Sequence, residues 1–536
     1  MNFNIDIHCH PSTKPFMSSM VDAEKKTVFE QYNHHIESRV MELLKKQLAK
    51  LSEVHLGTQS NFDSLFRGGH RVVVASITPM ERGFLVAGDM KNIKPKALSL
   101  IAKPFVFDLG SWTGTIKPIL INGLMGFSTK NVEYVRNASG LRNYFKDGLL
   151  PEYNYLKSFH NKVSPQEKYT LKLVNSFKEI EEGMLTDGGK TLYVILSIEG
   201  AHALKNIAPV TTEIKANQGR VYTPDELNEV EDGPGIKANI TAMKKWKYVP
   251  LFVTVMHHFW NGMGGHARSL NKLVGEVLNQ SEGINQPLTA LGRPVIRDLL
   301  STTNGPRILI DIKHMSVASR REFYRMLDTE MQFAGQTIPI ICSHTGVAAD
   351  IDSLDALEQV NDKAEEENTH NYFHKARINL CGDDVRRISK SGGLIGIQLD
   401  EKRIAGAGFT QKYFRGGFTD IALRNICSEL IMSNVFMMVR AVHSPEVWNV
   451  FSIGSDYDGL INHLDPFPGS ELIQVLREEI EFYLNNLHDV VEPGTGNIIF
   501  SVAEMKTLMM GFTAKQITEK IFSSNVMAFL KKNFNR

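Results

Sequence analysis

Cysteine is scarce in this 536-residue chain: there are four, Cys9, Cys342, Cys381 and Cys427. They show no CxxC spacing and are too few for a disulfide framework, which makes a reducing compartment the simpler expectation. No run of 18 apolar residues occurs, so no membrane span is expected. No signal peptide precedes the strand-like Phe3-Asn4-Ile5-Asp6-Ile7. The sequence as given is therefore expected in the cytoplasm, with secretion left open if its N-terminus was trimmed. Charge of one sign is missing too: 60 Lys and Arg stand against 59 Asp and Glu, a net charge of +1. That balance gives no reason to expect a nucleic-acid or membrane partner. The basic pair Lys531 and Lys532 reads as a solvated helix end. No internal repeat or low-complexity tract is evident. What remains, 42% hydrophobic and 22% charged residues, is the composition of a globular protein with a large core.

Eight short apolar, β-branched runs stand out. They are Phe3–His10, Arg71–Ser76, Leu192–Glu199, Val249–His257, Arg307–His314, Ile338–His344, Gly393–Leu399 and Val450–Asp456. Helical patterns, such as Leu354–Glu367 and Ser501–Phe529 with a break near Gly511, lie between most of them. Alternating strands and helices predict parallel α/β architecture, and eight strands predict a closed (β/α)8 TIM-type barrel. The chain is read as one barrel over residues 1–536. Long insertions, forming loops or a small subdomain, are placed at about 82–190, 259–306 and 345–391, the last holding the charged run Asp362–Glu367.

Six of the eight runs end in His, Glu or Asp. In such a barrel those ends converge on one face, where buried ionisable groups are costly unless paired or metal-bound. His8 and His10, two apart on a strand, face one way and can share a metal, with Cys9 facing the other. Alone, such a pair is more often two polar strand-end residues. Glu199 can bridge two cations through its two oxygens. His314 and His344 end consecutive strands about 4.8 Å apart and can reach a common metal. Asp456 can bind a metal and take a proton from metal-bound water. Asp458, before Gly459, reads as a turn residue.

This order of ligands resembles the amidohydrolase superfamily, and the local wording resembles the membrane dipeptidase (renal dipeptidase, peptidase M19) family. Ile198-Glu199-Gly200-Ala201-His202 is similar to that family's EGGH segment. Ile310-Asp311-Ile312-Lys313-His314-Met315-Ser316 resembles its fifth strand, Ser343-His344 its sixth, and Gly454-Ser455-Asp456-Tyr457-Asp458-Gly459 its GSDFDG end. Ser524-Asn525-Val526-Met527 looks like its terminal GxNxxR helix without the Arg. The resemblance runs from residue 3 to about 530, insertions excluded.

The resemblance implies two divalent metals, zinc being the expected ion. Glu199 would bridge them, with His314 and His344 on one and His8 and His10 on the other. Asp456 would shuttle the proton of a bridging hydroxide. The HxxN spacing in His258-Phe259-Trp260-Asn261 matches the histidine that meets the scissile carbonyl. Arg377, in Arg377-Ile378-Asn379, matches the Arg that grips the substrate carboxylate, with one extra residue in the motif. The family usually has His-x-Asp where this chain has His8-x-His10, which makes the site one unit more positive.

The expected activity is hydrolysis of a dipeptide or related amide, a small-molecule substrate. Two alternatives stand beside it: action on a non-peptide amide, lactone or ester, and a catalytically silent metal-binding scaffold. A homodimer is compatible with the sequence.

Overall fold

The structure, a computed structural model, describes residues 2–19, 26–31, 58–85, 143–206, 233–270, 280–361, 365 and 370–535. Eight parallel strands close into a barrel: β1 (Asn4–Cys9), β2 (His70–Ile77), β3 (Thr191–Glu199), β4 (Phe252–Thr254), β5 (Leu309–Asp311), β6 (Ile341–Thr345), β7 (Leu394–Ile397) and β8 (Phe451–Ile453). Each pairs with the next, and β8 returns to β1 through the register Asp6↔Ile453. The eight runs expected from sequence are these strands. Helices between them cover the outside, as a (β/α)8 barrel requires.

β3 shows why these segments form strands. Its nine residues, TLYVILSIE, are buried throughout, and β-branched and aromatic side chains suit a strand covered on both faces. One edge pairs with β2. The other is shared: the strand Thr170–Leu173 pairs with its first half, and β4 takes over at Ile198 and Glu199. Thr170–Leu173 and its antiparallel partner Lys162–Val163 lie in the first insertion and were not expected from sequence. Residues 86–142 of that insertion, 271–279 of the second, and the run Asp362–Glu367 of the third, Glu365 excepted, lie outside the described residues.

Several strands are shorter than their apolar runs. β4 ends at Thr254, and the carbonyl of Val255 just beyond it accepts from Asn261 Nδ2 at 2.7 Å as well as from Ala201 N at 3.3 Å. After β5 and β8 the backbone turns through left-handed conformations at His314 (φ 65°) and Asp456 (φ 62°). The expected C-terminal helical stretch is Val502–Leu508, Ala514–Glu519 and Asn525–Asn533, broken at Gly511, where φ is 83°. Asn525 Nδ2 donates to the carbonyls of Trp448 and Phe451, both at 2.8 Å, and pins the last helix to the start of β8. Asp420–Val442 is the one helix among the described residues long and apolar enough to cross a membrane, and 67% of its most apolar window is buried inside the molecule.

Two buried carboxylates clasp neighbouring strands in the same way. Asp6 Oδ1 accepts from the backbone N–H of His8 (3.0 Å) and of Ser455 (3.1 Å), and its Oδ2 accepts from the Ser455 hydroxyl. Asp311 Oδ1 accepts from the N–H of Lys313 (3.0 Å) and of Ser343 (3.0 Å), and its Oδ2 from the hydroxyls of Ser343 and Thr254. Each clasped serine immediately precedes a residue of the cluster described below. Removing one acceptor strands several buried donors at once. Asp311→Ala is therefore expected to lower the free energy of unfolding by roughly 3 kcal/mol in urea titrations; a loss below about 1 kcal/mol would show that the clasp does not hold the barrel.

Candidate metal centre

Glu199 ends β3 at the centre of the site. The next residue, Gly200, has φ 87°, and a Cβ there would lie 2.3 Å from the His202 ring, so glycine is required for the turn. Five imidazoles meet the Glu199 carboxylate. His8 Nε2 is 3.3 Å from Oε1, His314 Nε2 3.5 Å and His344 Nε2 3.6 Å; His10 Nε2 is 3.1 Å and His257 Nε2 3.3 Å from Oε2. Asp456 Oδ1 lies 3.7 Å from His8 Nε2 and 3.6 Å from His10 Nε2, and its Oδ2 lies 3.7 Å from His344 Nε2. All seven residues are buried. The six candidate ligands read from sequence are thus together in one place, joined by His257.

The donor set fits divalent cations on the structure's own terms. The Nε2 atoms of His8 and His10 and Oδ1 of Asp456 are buried yet make no hydrogen bond, which leaves converging lone pairs without a partner. Two groups have ligand atoms within 4.8 Å of one another: His8, Glu199, His344 and Asp456, and Glu199, His257 and His314. Imidazole and carboxylate are ligands suited to zinc and its neighbours. The grouping differs from the one the resemblance implies. The His344 ring stacks on that of His8 at 4.2 Å, while His314 sits beside His257.

Two of these groups occupy strained backbone. His314 and Asp456 are non-glycine residues at positive φ, which costs of order 1–3 kcal/mol each. Neighbouring strand ends and loops hold them. Asp456 N donates to the carbonyl of His8 at 2.9 Å, and Ala267 N donates to that of His314 at 2.8 Å. Gln398 Nε2 donates to Asp456 Oδ2 at 2.8 Å, and Lys313 Nζ lies 3.4 Å from Gln398 Oε1.

Charge in the cluster is strongly biased. Burial opposes ionisation of Glu199, but the imidazoles of His257, His8 and His10 outweigh it and hold the carboxyl well below its ordinary range. Burial also disfavours charge on His10, but Asp456 and Glu199 overcome it and push that imidazole up to about 10. Glu199 and Glu81 overcome burial at His257 in the same way, to about 10. His314 and His344 are driven well below their ordinary value, chiefly by burial. Burial lowers Lys313 to about 8.

The site opens into a narrow cleft, lined by residues that include Thr13, Lys14, Met80, Glu81, Phe84, His257, His258 and Leu460. His258 lines the cleft, but it is His257, one residue earlier, that reaches Glu199. His258 Nδ1 meets Ser269 Oγ at 2.8 Å, and burial, helped by the charge on His257, holds its pKa well below the ordinary value. Arg377 is not among the lining residues. Its Nε and Nη2 donate to Glu365 Oε2 at 2.9 and 2.7 Å, and its backbone N–H donates to Oε1. The cation in the cleft wall is Lys14, 2.6 Å from Asp458. Asp458 also accepts from Gln59 N and Ser60 N, which makes it the tether of that segment.

Glu81, Thr78 and Gln398 were missed in the sequence. Glu81 Oε1 lies 2.6 Å from His257 Nδ1, and Thr78 Oγ1 lies 3.3 Å from His10 Nδ1 and 3.4 Å from Glu199 Oε2. Gln398 was visible only as a polar strand end, and Glu81 carried no signal. His257 closed an apolar run, but the HxxN spacing drew the reading to His258.

Fold and site together define a (β/α)8 barrel with a buried His/Glu/Asp cluster at its strand ends. The chain is similar in structure to dipeptidases of peptidase family M19. One such dipeptidase is 10% identical, with all of both chains covered and a TM-score of 0.45. A metallopeptidase from Rhodobacter sphaeroides, liganded with a phosphinate mimic of the dipeptide L-Ala-D-Ala, is 11% identical over 92% of this chain and 97% of its own, with a TM-score of 0.44. The probable dipeptidase PvdM from Pseudomonas aeruginosa is 11% identical over 92% of this chain and 98% of its own, with a TM-score of 0.42. No family model and no curated protein matches the chain.

The raised imidazoles set a pH dependence for the metal-free protein. His10 and His257 titrate at about 10 when folded, against an ordinary value of 6.5. Their charge therefore stabilises the fold fully below about pH 6.5 and ceases to as the pH rises through about 10. Metal-free protein is expected to melt at a lower temperature near pH 10 than near pH 6.5, and bound cations, which take up neutral imidazole, should suppress that difference. A pH slope that is the same with and without metal would contradict these assignments.

Proposed function

We propose that the chain is a metal-dependent hydrolase that cleaves the amide bond of a dipeptide or similarly small amide, with two divalent cations, zinc foremost, sharing Glu199. The observation that carries this reading is the convergence of five imidazoles on the buried Glu199 carboxylate beside the unbonded Oδ1 of Asp456. Bound cations would supply a water acidic enough to react near neutral pH and would polarise the substrate carbonyl.

The chain's own residues do the rest. Gln398 holds Oδ2 of Asp456 and leaves Oδ1 to accept a proton and pass it to the leaving amine. His258, in the cleft wall, stabilises the oxygen of the carbonyl under attack, a role often worth several kcal/mol. The apolar side chains of Met80, Phe84 and Leu460 line the cleft and limit water there. Arg377, paired with Glu365, is not among the residues that line the cleft, and the proposed chemistry does not rest on it.

The test is metal content measured beside hydrolysis of a panel of L-L and L-D dipeptides. About two metals per chain with dipeptide turnover supports the proposal. Metal without turnover of any dipeptide moves the substrate to another amide, a lactone or an ester. No metal after supplementation overturns it. His314→Ala is expected to lose metal and activity together, whereas Asp456→Asn keeps its metal and loses at least roughly 10²-fold in kcat; an Asp456→Asn enzyme of near-normal kcat would remove Asp456 from proton transfer.

A further inference from the structure

Two adjacent histidines follow β4, and their Nδ1 atoms have partners of opposite kind. His257 Nδ1 lies 2.6 Å from Glu81 Oε1. A carboxylate only accepts, and it would repel a bare nitrogen lone pair at that distance, so this contact, an ion pair and not an aligned hydrogen bond, favours a proton on Nδ1. Glu81 is held in place by the backbone N–H groups of His258 (3.2 Å) and Phe259 (3.1 Å), which donate to its two oxygens. With Nδ1 protonated, the neutral ring has its lone pair on Nε2, the atom 3.3 Å from Glu199 Oε2.

At His258 the logic runs the other way, and it starts from Gln280. The backbone N–H groups of Ser269 and Leu270 both donate to Gln280 Oε1 at 3.0 Å, which fixes which end of the amide is oxygen. Gln280 Nε2 therefore donates, to the carbonyl of His258 at 2.6 Å and to Ser269 Oγ. The Ser269 hydroxyl is thus already an acceptor and has one proton to give. Among the described residues, the acceptor within its reach is His258 Nδ1 at 2.8 Å. Nδ1 then bears the lone pair and Nε2 the proton.

We propose that Glu81 on one side and the Ser269–Gln280 pair on the other lock these neighbours in opposite tautomers: His257 serves as a metal ligand through Nε2, beside Glu199 and His314, and His258 as a hydrogen-bond donor through Nε2–H to the substrate's carbonyl oxygen. The substrate half of this assignment rests on the hydrolase reading above; the tautomers and the ligand do not. Carboxylate–histidine–metal arrays orient a ligating ring in this way. A ring fixed as a neutral donor meets developing negative charge without first having to gain a proton.

The experiment uses the full-length, zinc-loaded protein labelled with ¹⁵N-histidine, with the His258 ring signals identified by their loss in His258→Asn. The expected spectrum has His258 protonated on Nε2 and bare on Nδ1. Gln280→Glu replaces the donor to Ser269 with an acceptor, so the hydroxyl proton turns away and the His258 tautomer should invert. Metal content is read on the same samples. His257→Ala is expected to fall from two zinc ions per chain to one, and Glu81→Gln to weaken binding of the second ion by roughly 10–100-fold. A wild-type His258 protonated on Nδ1, or His257→Ala retaining two zinc ions, would overturn the proposal. None of these readouts involves turnover, so the expected tautomers without dipeptide cleavage would count against the hydrolase reading alone.

Discussion

A buried carboxylate is the constraint on which this molecule is built. Glu199 stands at the end of a strand covered on both faces, where an isolated charge would cost several kcal/mol. Its two oxygens face five imidazole nitrogens delivered by four other strands: two from β1 and its end, one from β6, and one each from the segments that follow β4 and β5. Removing β1, β4, β5 or β6 from the ring would leave the charge short of a partner. The closed barrel and the polar cluster are therefore mutually dependent. The barrel brings the imidazoles to one carboxylate, and the carboxylate makes their burial tolerable.

The same device recurs one layer below. Asp6 and Asp311 each gather the N–H two residues onward and a serine from the adjoining strand, and those serines, Ser455 and Ser343, precede Asp456 and His344. A candidate ligand at a strand end is thus aimed by a carboxylate on its neighbour rather than by its own strand alone. That support explains how His314 and Asp456 can sit in left-handed backbone that an unsupported loop would abandon. At Gly454, just past β8, a Cβ would lie 1.9 Å from the carbonyl of Ser343 in β6, the next strand but one, so this close approach requires glycine.

Much of this was legible in the chain. Apolar runs ending in His, Glu or Asp marked the strands and six of the seven clustered residues, because strand periodicity and the cost of buried charge both leave a local trace. What escaped depended on partners distant in sequence. The HxxN spacing pointed to His258, yet Asn261 bonds the carbonyl of Val255 and it is His257 Nε2 that lies 3.3 Å from Glu199. Arg377 was expected at the substrate but is paired with Glu365, a contact between loop residues that no periodicity reveals. Thr170–Leu173 was missed because four residues inside an insertion show too little alternation to stand out, although β3 offers them a free edge. Glu81 becomes meaningful only once β2 and β4 lie side by side with β3.

The Asp6–Ser455 clasp joins residues 449 positions apart. Everything between them is made by the ribosome before the second half of the clasp exists. Through most of translation His8 and His10 belong to a strand with no β8 beside it, and the barrel cannot close until residues near Ser455 have emerged. The cluster is therefore incomplete until both ends of the barrel are present. A chain cut short before β8 carries six of the seven clustered residues but has neither Asp456 nor the seam beside His8, so the cluster can be complete only when nearly the whole chain has been made.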